Sequence, residues 1–167
     1  MLKITNITKE FDEDMGEIIK DCLVEYGLDI PGTAWEDPYL HKFSEYYKDI
    51  NGEYFVALLE ERDDEDDFLE INLAGGCGYG PLVGVPDTCE LQKLYIDKNF
   101  RNMGIAQDLL NIVEKKSKKH YKKIYLETDD KMVEAIKFYK KNGYKKICSA
   151  LGNTGHNACG TYFIKEL

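Results

Sequence analysis

Glu90-Leu91-Gln92-Lys93-Leu94-Tyr95-Ile96, four spacer residues, then Arg101-Asn102-Met103-Gly104-Ile105-Ala106: this stretch decides how the chain reads. The first part has the character of a strand. The second opens a helix expected from about Gly104 to Lys119, with Ile105, Leu109, Leu110, Ile112 and Val113 forming an apolar face. A helix start offers unpaired backbone N–H groups and positive potential. Glycine at 104 lets a ligand come close to the backbone, and alanine at 106 is nearly as small. A strand, tight turn and helix start of this kind suit a phosphate or pyrophosphate.

Other phosphate-binding patterns fail on spacing. The Walker sequence G-x-x-x-x-G-K-[ST] is absent. Glycines 75, 76, 78 and 80 resemble a dinucleotide fingerprint, but its third position falls on Pro81 or Val83, and no helix follows. That stretch reads instead as a strand whose backbone is closely approached, or as a bulge.

Outward from this segment, apolar periodicity gives the remaining elements. Leu2–Thr5 reads as a short strand. Asp12-Glu13-Asp14 opens a helix through Met15, Ile18, Ile19, Cys22, Leu23 and Tyr26, with Gly27 as its stop. Residues 28–40 read as an aromatic loop. Tyr39, Leu40, Phe43, Tyr46 and Tyr47 recur at helical spacing, which predicts a second helix ending near Asn51-Gly52. Strands follow at Tyr54–Leu59, Ile71–Tyr79 and Cys89–Ile96. The acidic run Glu60–Asp67 reads as a solvated hairpin loop and lacks the glycine of a calcium loop. After the central helix come a strand at Ile124–Leu126, a helix holding Val133, Ile136, Phe138 and Tyr139 that Asn142-Gly143 stops, and closing strands near 144–148 and 162–164. Strands interleave with helices, so the fold class is α/β, expected as one domain over residues 1–167.

Composition narrows the function. At 167 residues and 43% hydrophobic content the chain can bury a core without disulfides or metals. Its longest apolar run is six residues, too short to cross a membrane as a helix. The N-terminus does not read as a signal peptide. A net charge of −9 disfavours nucleic acid and suits a cationic partner, although acidity also serves solubility. The lysines at 115, 116, 118 and 119 read as a solvated helix end. Five widely spaced cysteines form neither a disulfide framework nor a zinc site, and a reducing cytoplasm is the simplest setting.

Arg101-x-x-Gly104-x-Ala106 resembles the [Q/R]-x-x-G-x-[G/A] loop of the GNAT N-acetyltransferase superfamily. The preceding strand and spacer match too. Ala135-Ile136-Lys137-Phe138-Tyr139 through Gly143-Tyr144 is similar to that family's A-x-x-F-Y-x-x-x-G-[FY] segment. The tail from Gly152 to Cys159, with Pro31-Gly32-Thr33, resembles a bacterial subgroup without a settled substrate. The resemblance implies a mixed, mostly antiparallel central sheet flanked by helices, with acetyl-CoA as acyl-donor cosubstrate between its fourth and fifth strands. It implies direct transfer of an acetyl group to a primary amine, on a small molecule or a peptide, in a ternary complex. Homodimers are common in the family. The rival reading is a CoA-binding sensor or interaction module without catalysis.

The resemblance also assigns roles. Arg101, Asn102, Met103, Gly104, Ile105 and Ala106 would hold the pyrophosphate through their amides. Leu94, Tyr95 and Ile96 would lie along the pantetheine arm, and the Leu94 amide would polarise the thioester carbonyl. Glu90 matches a general-base position; a strand-edge charge facing solvent is its ordinary alternative. Tyr139 matches a general acid near the sulfur; a packing aromatic is its ordinary alternative. Where the family often has an asparagine this chain has Met132, with Thr128, Asp129 and Asp130 as nearby substitutes. Trp35, Tyr39, Glu90 and His156 are the candidate acceptor-binding residues, with Asp37, Tyr46, Tyr47 and Asn157 in the same segments. His156-x-x-Cys159 supplies two ligands, short of a structural zinc site, so no metal is expected.

Overall fold

The computed structural model describes residues 1–63 and 68–167. Strands β1 (Leu2–Asn6), β2 (Glu53–Asp63), β3 (Phe68–Pro81), β4 (Thr88–Ile96), β5 (Lys123–Thr128), β6 (Lys145–Ile147) and β7 (Thr161–Glu166) form one sheet in the order β1-β2-β3-β4-β5-β7-β6. Helices α1 (Asp12–Glu25), α2 (Phe43–Tyr46), α3 (Ile105–Ser117) and α4 (Val133–Lys141) complete the element order read from the sequence. Every neighbouring pair is antiparallel except β4 and β5.

Alternation along the strands sorts two cores. On β2, Phe55 and Ala57 face α3 and pack with Leu109, Leu110 and Val113. Tyr54, Val56 and Leu58 face the other way, against Met15, Ile19 and Leu23 of α1. β4 obeys the same rule: Cys89 and Leu91 join the α3 core, which turns Glu90 and Gln92 toward the opposite face.

The glycine-rich strand is closely approached, as its composition implied. A Cβ on Gly76 would sit 2.6 Å from the Tyr54 ring, and one on Gly78 would sit 2.5 Å from it. The Tyr54 ring therefore occupies the notch these glycines leave. Its hydroxyl donates to the Lys93 carbonyl at 2.9 Å. Gly76 pairs with Tyr95 and Gly78 with Gln92, so β4 carries one extra residue there, and Lys93 takes φ +53°. This is a β-bulge, a device that bends a strand and re-aims its side chains.

Two expectations need correction. The helix expected from Tyr39 onward shrinks to Phe43–Tyr46. The rings of Tyr39 and Tyr46 stack at 3.7 Å and 2°, whereas seven residues of helix would separate them by about 10 Å along the axis. Turns at Leu40 and Lys42 fold the chain back to allow that stack. The acidic run is not all loop: Glu60–Asp63 continue β2, and the rest of the run lies outside the described residues.

Candidate active site

β4 and β5 pair only through Thr88–Lys123, Cys89–Ile124 and Glu90–Tyr125. Beyond Glu90 the bulged strand leaves its neighbour, and the sheet opens into a V. On one side lies a groove of about 560 Å³ between Leu94, Tyr95, Ile96, the 101–107 turn and α4. On the other lies a cavity of about 80 Å³ between Glu90, Lys93, Glu127, Asp129, His156 and Cys159. Leu94, Tyr95, Met132, Ala135 and Tyr139 line both, so the two spaces meet there.

The far end of the groove is built from backbone. Asn102 and Gly104 take φ +64° and +83°, which turns the chain sharply into α3. Only glycine holds the second value without strain. The first amides bonded inside the helix are those of Gln107 and Asp108, both to the Gly104 carbonyl. The Ile105 and Ala106 amides thus have no intrahelical acceptor and stand at the positive end of the helix dipole. Asn102, Gly104, Ile105 and Ala106 line the groove; Met103 is exposed and outside its lining. Arg101 lines the groove as well, but its side chain is tied to α1, its guanidinium held by Glu25 at 2.7 and 2.8 Å and its Nε donating to the Ile96 carbonyl. Arg101 therefore anchors the turn, and its guanidinium is already engaged.

Glu90 is 7% exposed and lines the cavity. Its Oε2 accepts from Gln92 Nε2 at 2.8 Å, and Gln92 Oε1 accepts from the Tyr47 hydroxyl at 2.6 Å. Because a carboxylate only accepts, this chain fixes the Gln92 amide with its NH2 toward Glu90. Burial pushes the Glu90 carboxyl above its ordinary range, and the Gln92 bond only partly offsets that. Tyr139 packs on Tyr144 and Phe163, and its hydroxyl bonds to no other described residue. Burial holds that phenol far above its ordinary pKa, so it is protonated at neutral pH.

His156 and Lys93 converge on one carboxylate. His156 Nε2 lies 3.1 and 3.0 Å from the two oxygens of Asp37, and the Lys93 ammonium pairs with Asp37 as well. Burial raises the Asp37 carboxyl most strongly, yet His156 and Lys93 together outweigh it and keep it below its ordinary value. The Ala158 amide donates to the Gly32 carbonyl. These contacts tie the 31–37 loop to the 152–159 segment beside the cavity.

Other expected residues sit elsewhere. Trp35 is outside the cavity lining, packed on the α1 core with Lys20 Nζ 5.9 Å from its ring. Tyr39 is also outside it, stacked on Tyr46 behind Lys93. Both rings joined the packing that aromatics of these segments also serve. Thr128 and Asp129 line the cavity near Met132, but Asp130 is taken by Thr161. Sequence reasoning missed Lys93, Gln92 and Glu127. Only the last left a signal, a carboxylate on the same strand face as the buried Tyr125.

No helix among the described residues is long and apolar enough to cross a membrane. The sequence profile of the acetyltransferase (GNAT) family matches residues 14–144. YjgM, an uncharacterized N-acetyltransferase of Escherichia coli, is 32% identical over 164 residues, which are 96% of this chain and 92% of that protein. A GNAT-family acetyltransferase from Staphylococcus aureus superposes with a TM-score of 0.78 at 22% identity, over 99% of both chains. The PaiA N-acetyltransferase of Thermoplasma acidophilum, solved in complex with coenzyme A, superposes with a TM-score of 0.70 at 16% identity, over 100% of this chain and 99% of that one. With the profile spanning most of the chain and the opened sheet in place, this protein belongs to the GNAT family of acetyltransferases.

Proposed function

We propose that the protein transfers an acetyl group from acetyl-CoA to a primary amine by direct attack in a ternary complex. The observation that carries this reading is the junction at Leu94 and Tyr139, where a groove ending in unpaired helix amides meets a cavity containing a buried carboxylate. The groove fits an extended cosubstrate with an anionic end: the Ile105 and Ala106 amides suit its pyrophosphate, and the splayed edge of β4 suits its pantetheine arm. The five unpaired cysteines fit a reducing compartment such as the cytoplasm.

Glu90, directly or through one water, takes a proton from the acceptor ammonium and frees its lone pair. The nitrogen attacks the thioester carbonyl, a C–N bond forms and the C–S bond breaks. The Leu94 amide stabilises charge developing on the carbonyl oxygen, a contribution typically of about 3 kcal/mol. Tyr139 donates a proton to the departing sulfur. Of the two protons the nitrogen loses, one ends on the thiol and one in solvent.

Thermal melting with acetyl-CoA, CoA, ATP and NAD tests the cosubstrate. A ligand at a hundred times its dissociation constant adds about 2.7 kcal/mol. For this chain length that raises Tm by roughly 5–10 °C. A shift with acetyl-CoA and CoA alone supports the reading; a shift with ATP or NAD instead overturns it. Tyr139→Phe keeps the packing on Tyr144 and Phe163 but removes the proton donor. Its kcat falls by roughly 10²-fold or more while Tm stays within a few degrees. Turnover close to wild type in that variant would remove Tyr139 as the acid.

A further inference from the structure

The acceptor cavity has an uneven charge inventory. Three carboxylates line it, Glu90, Glu127 and Asp129, against one ammonium, that of Lys93. Lys93 is already paired with Asp37, and among the described residues none of the three carboxylates forms an ion pair. Glu90 is more than nine-tenths buried, and its Oε1 accepts no hydrogen bond from a described residue. Glu127 is held but not neutralised: Oε1 accepts from the Tyr125 hydroxyl at 2.7 Å and Oε2 from Thr154 Oγ1 at 2.9 Å. Each oxygen keeps acceptor capacity. A low-dielectric recess lined by one sign of charge concentrates ligands of the other sign.

The carboxylates are also spaced. Glu90 lies opposite Tyr125, and Glu127 is two residues further along β5, on the side where the strands part. Ordinary strand spacing and rise put the Glu90 and Glu127 Cα atoms about 8 Å apart, before the splay adds to it. Asp129 continues the row. A single amine needs only the first of these groups.

Resting on the reading that this cavity receives the acceptor, we propose that the acceptor is a dication: a primary amine carrying a second ammonium group several bonds away. Glu127 and Asp129 hold the distal ammonium while the reacting nitrogen lies beside Glu90. An acceptor with a distal carboxylate meets two like charges, and both nearby basic side chains, Lys93 and His156, are already claimed by Asp37. The protein then releases a monoacetylated diamine, free CoA thiol and one proton.

The test uses the whole chain with saturating acetyl-CoA and three acceptors of equal reach: 1,4-diaminobutane, butylamine and 4-aminobutyrate, followed by thiol release. The diamine is expected to exceed butylamine by at least tenfold in kcat/KM, and 4-aminobutyrate to be slowest. In Glu127→Gln and Asp129→Asn the ratio of diamine to butylamine falls toward unity, mainly through a higher KM for the diamine. High salt compresses the ratio in wild type as well. Equal rates for diamine and butylamine, or a preference for 4-aminobutyrate, overturn the dication and leave the acetyltransferase reading intact. CoA binding without turnover of any acceptor is settled by calorimetric titration of 1,4-diaminobutane into the CoA complex; no heat there also overturns it. Absence of CoA binding removes both readings together.

Discussion

Glu90→Gln loses roughly 10²- to 10⁴-fold in kcat/KM at neutral pH while CoA binding persists. The substitution keeps the shape of the side chain and leaves an oxygen to accept from Gln92, so the cavity wall holds. What disappears is the capacity to take a proton. The wild-type profile has a matching acid limb. Glu90 must be ionised to act, so kcat/KM falls as pH drops through its pKa, and burial places that fall above the ordinary glutamate value of 4.5. Stability runs the opposite way. A carboxyl with a raised native pKa binds more protons folded than unfolded, so its contribution is lost as pH rises from 4.5 through the native value. At neutral pH the ionised group therefore costs stability. Glu90→Gln is expected to melt higher than wild type there, with the difference closing below pH 4.5. Thiol-release kinetics, a calorimetric CoA titration and melts across pH read all three effects. A variant within threefold of wild type would sink Glu90 as the base.

Tyr54→Ala costs about 3–5 kcal/mol, the range for emptying a large aromatic site. At this chain length the loss lowers Tm by roughly 6–20 °C. Three contacts go at once: the parallel stack on Phe43 at 4.6 Å, the notch over Gly76 and Gly78, and the bond to the Lys93 carbonyl. The glycines cannot close the gap, having no side chains to move into it. Tyr54→Phe separates the parts. It keeps the ring and loses about 1 kcal/mol with the hydroxyl. Because that hydroxyl pins the bulge that aims Lys93 and Leu94, kcat falls more than stability does. If Tyr54→Ala melts within 2–3 °C of wild type, the ring does not hold the two strands as described.

The sequence carried the scaffold well because its signals are local. The strand, four-residue spacer and R-x-x-G-x-A turn from Glu90 to Ala106, the helical face from Ile105 to Val113 and the glycine forced by φ +83° at position 104 each lie within a short stretch. The acceptor side was less legible. Trp35 and Tyr39 have the composition of a binding wall, but an aromatic in a wall and one in a core look the same as letters. The Lys93–Asp37–His156 cluster joins positions more than fifty residues apart, and no spacing rule connects them. Arg101 belongs to the motif by its position, yet its side chain answers to Glu25, a partner in α1.

The position of β7 bears on how the protein is made. This strand follows β6 in sequence but inserts between β5 and β6 in the sheet. While synthesis proceeds from the N-terminus, β5 has only its three-residue pairing with β4, and its other edge stays open until residues 161–166 leave the ribosome. A nascent chain or a prematurely terminated product would expose that edge, with buried Ile124, Tyr125 and Leu126, to other chains. Ribosome pausing before residues 161–166 have emerged would thus be a hazard for yield, because that edge stays open for as long as the pause lasts.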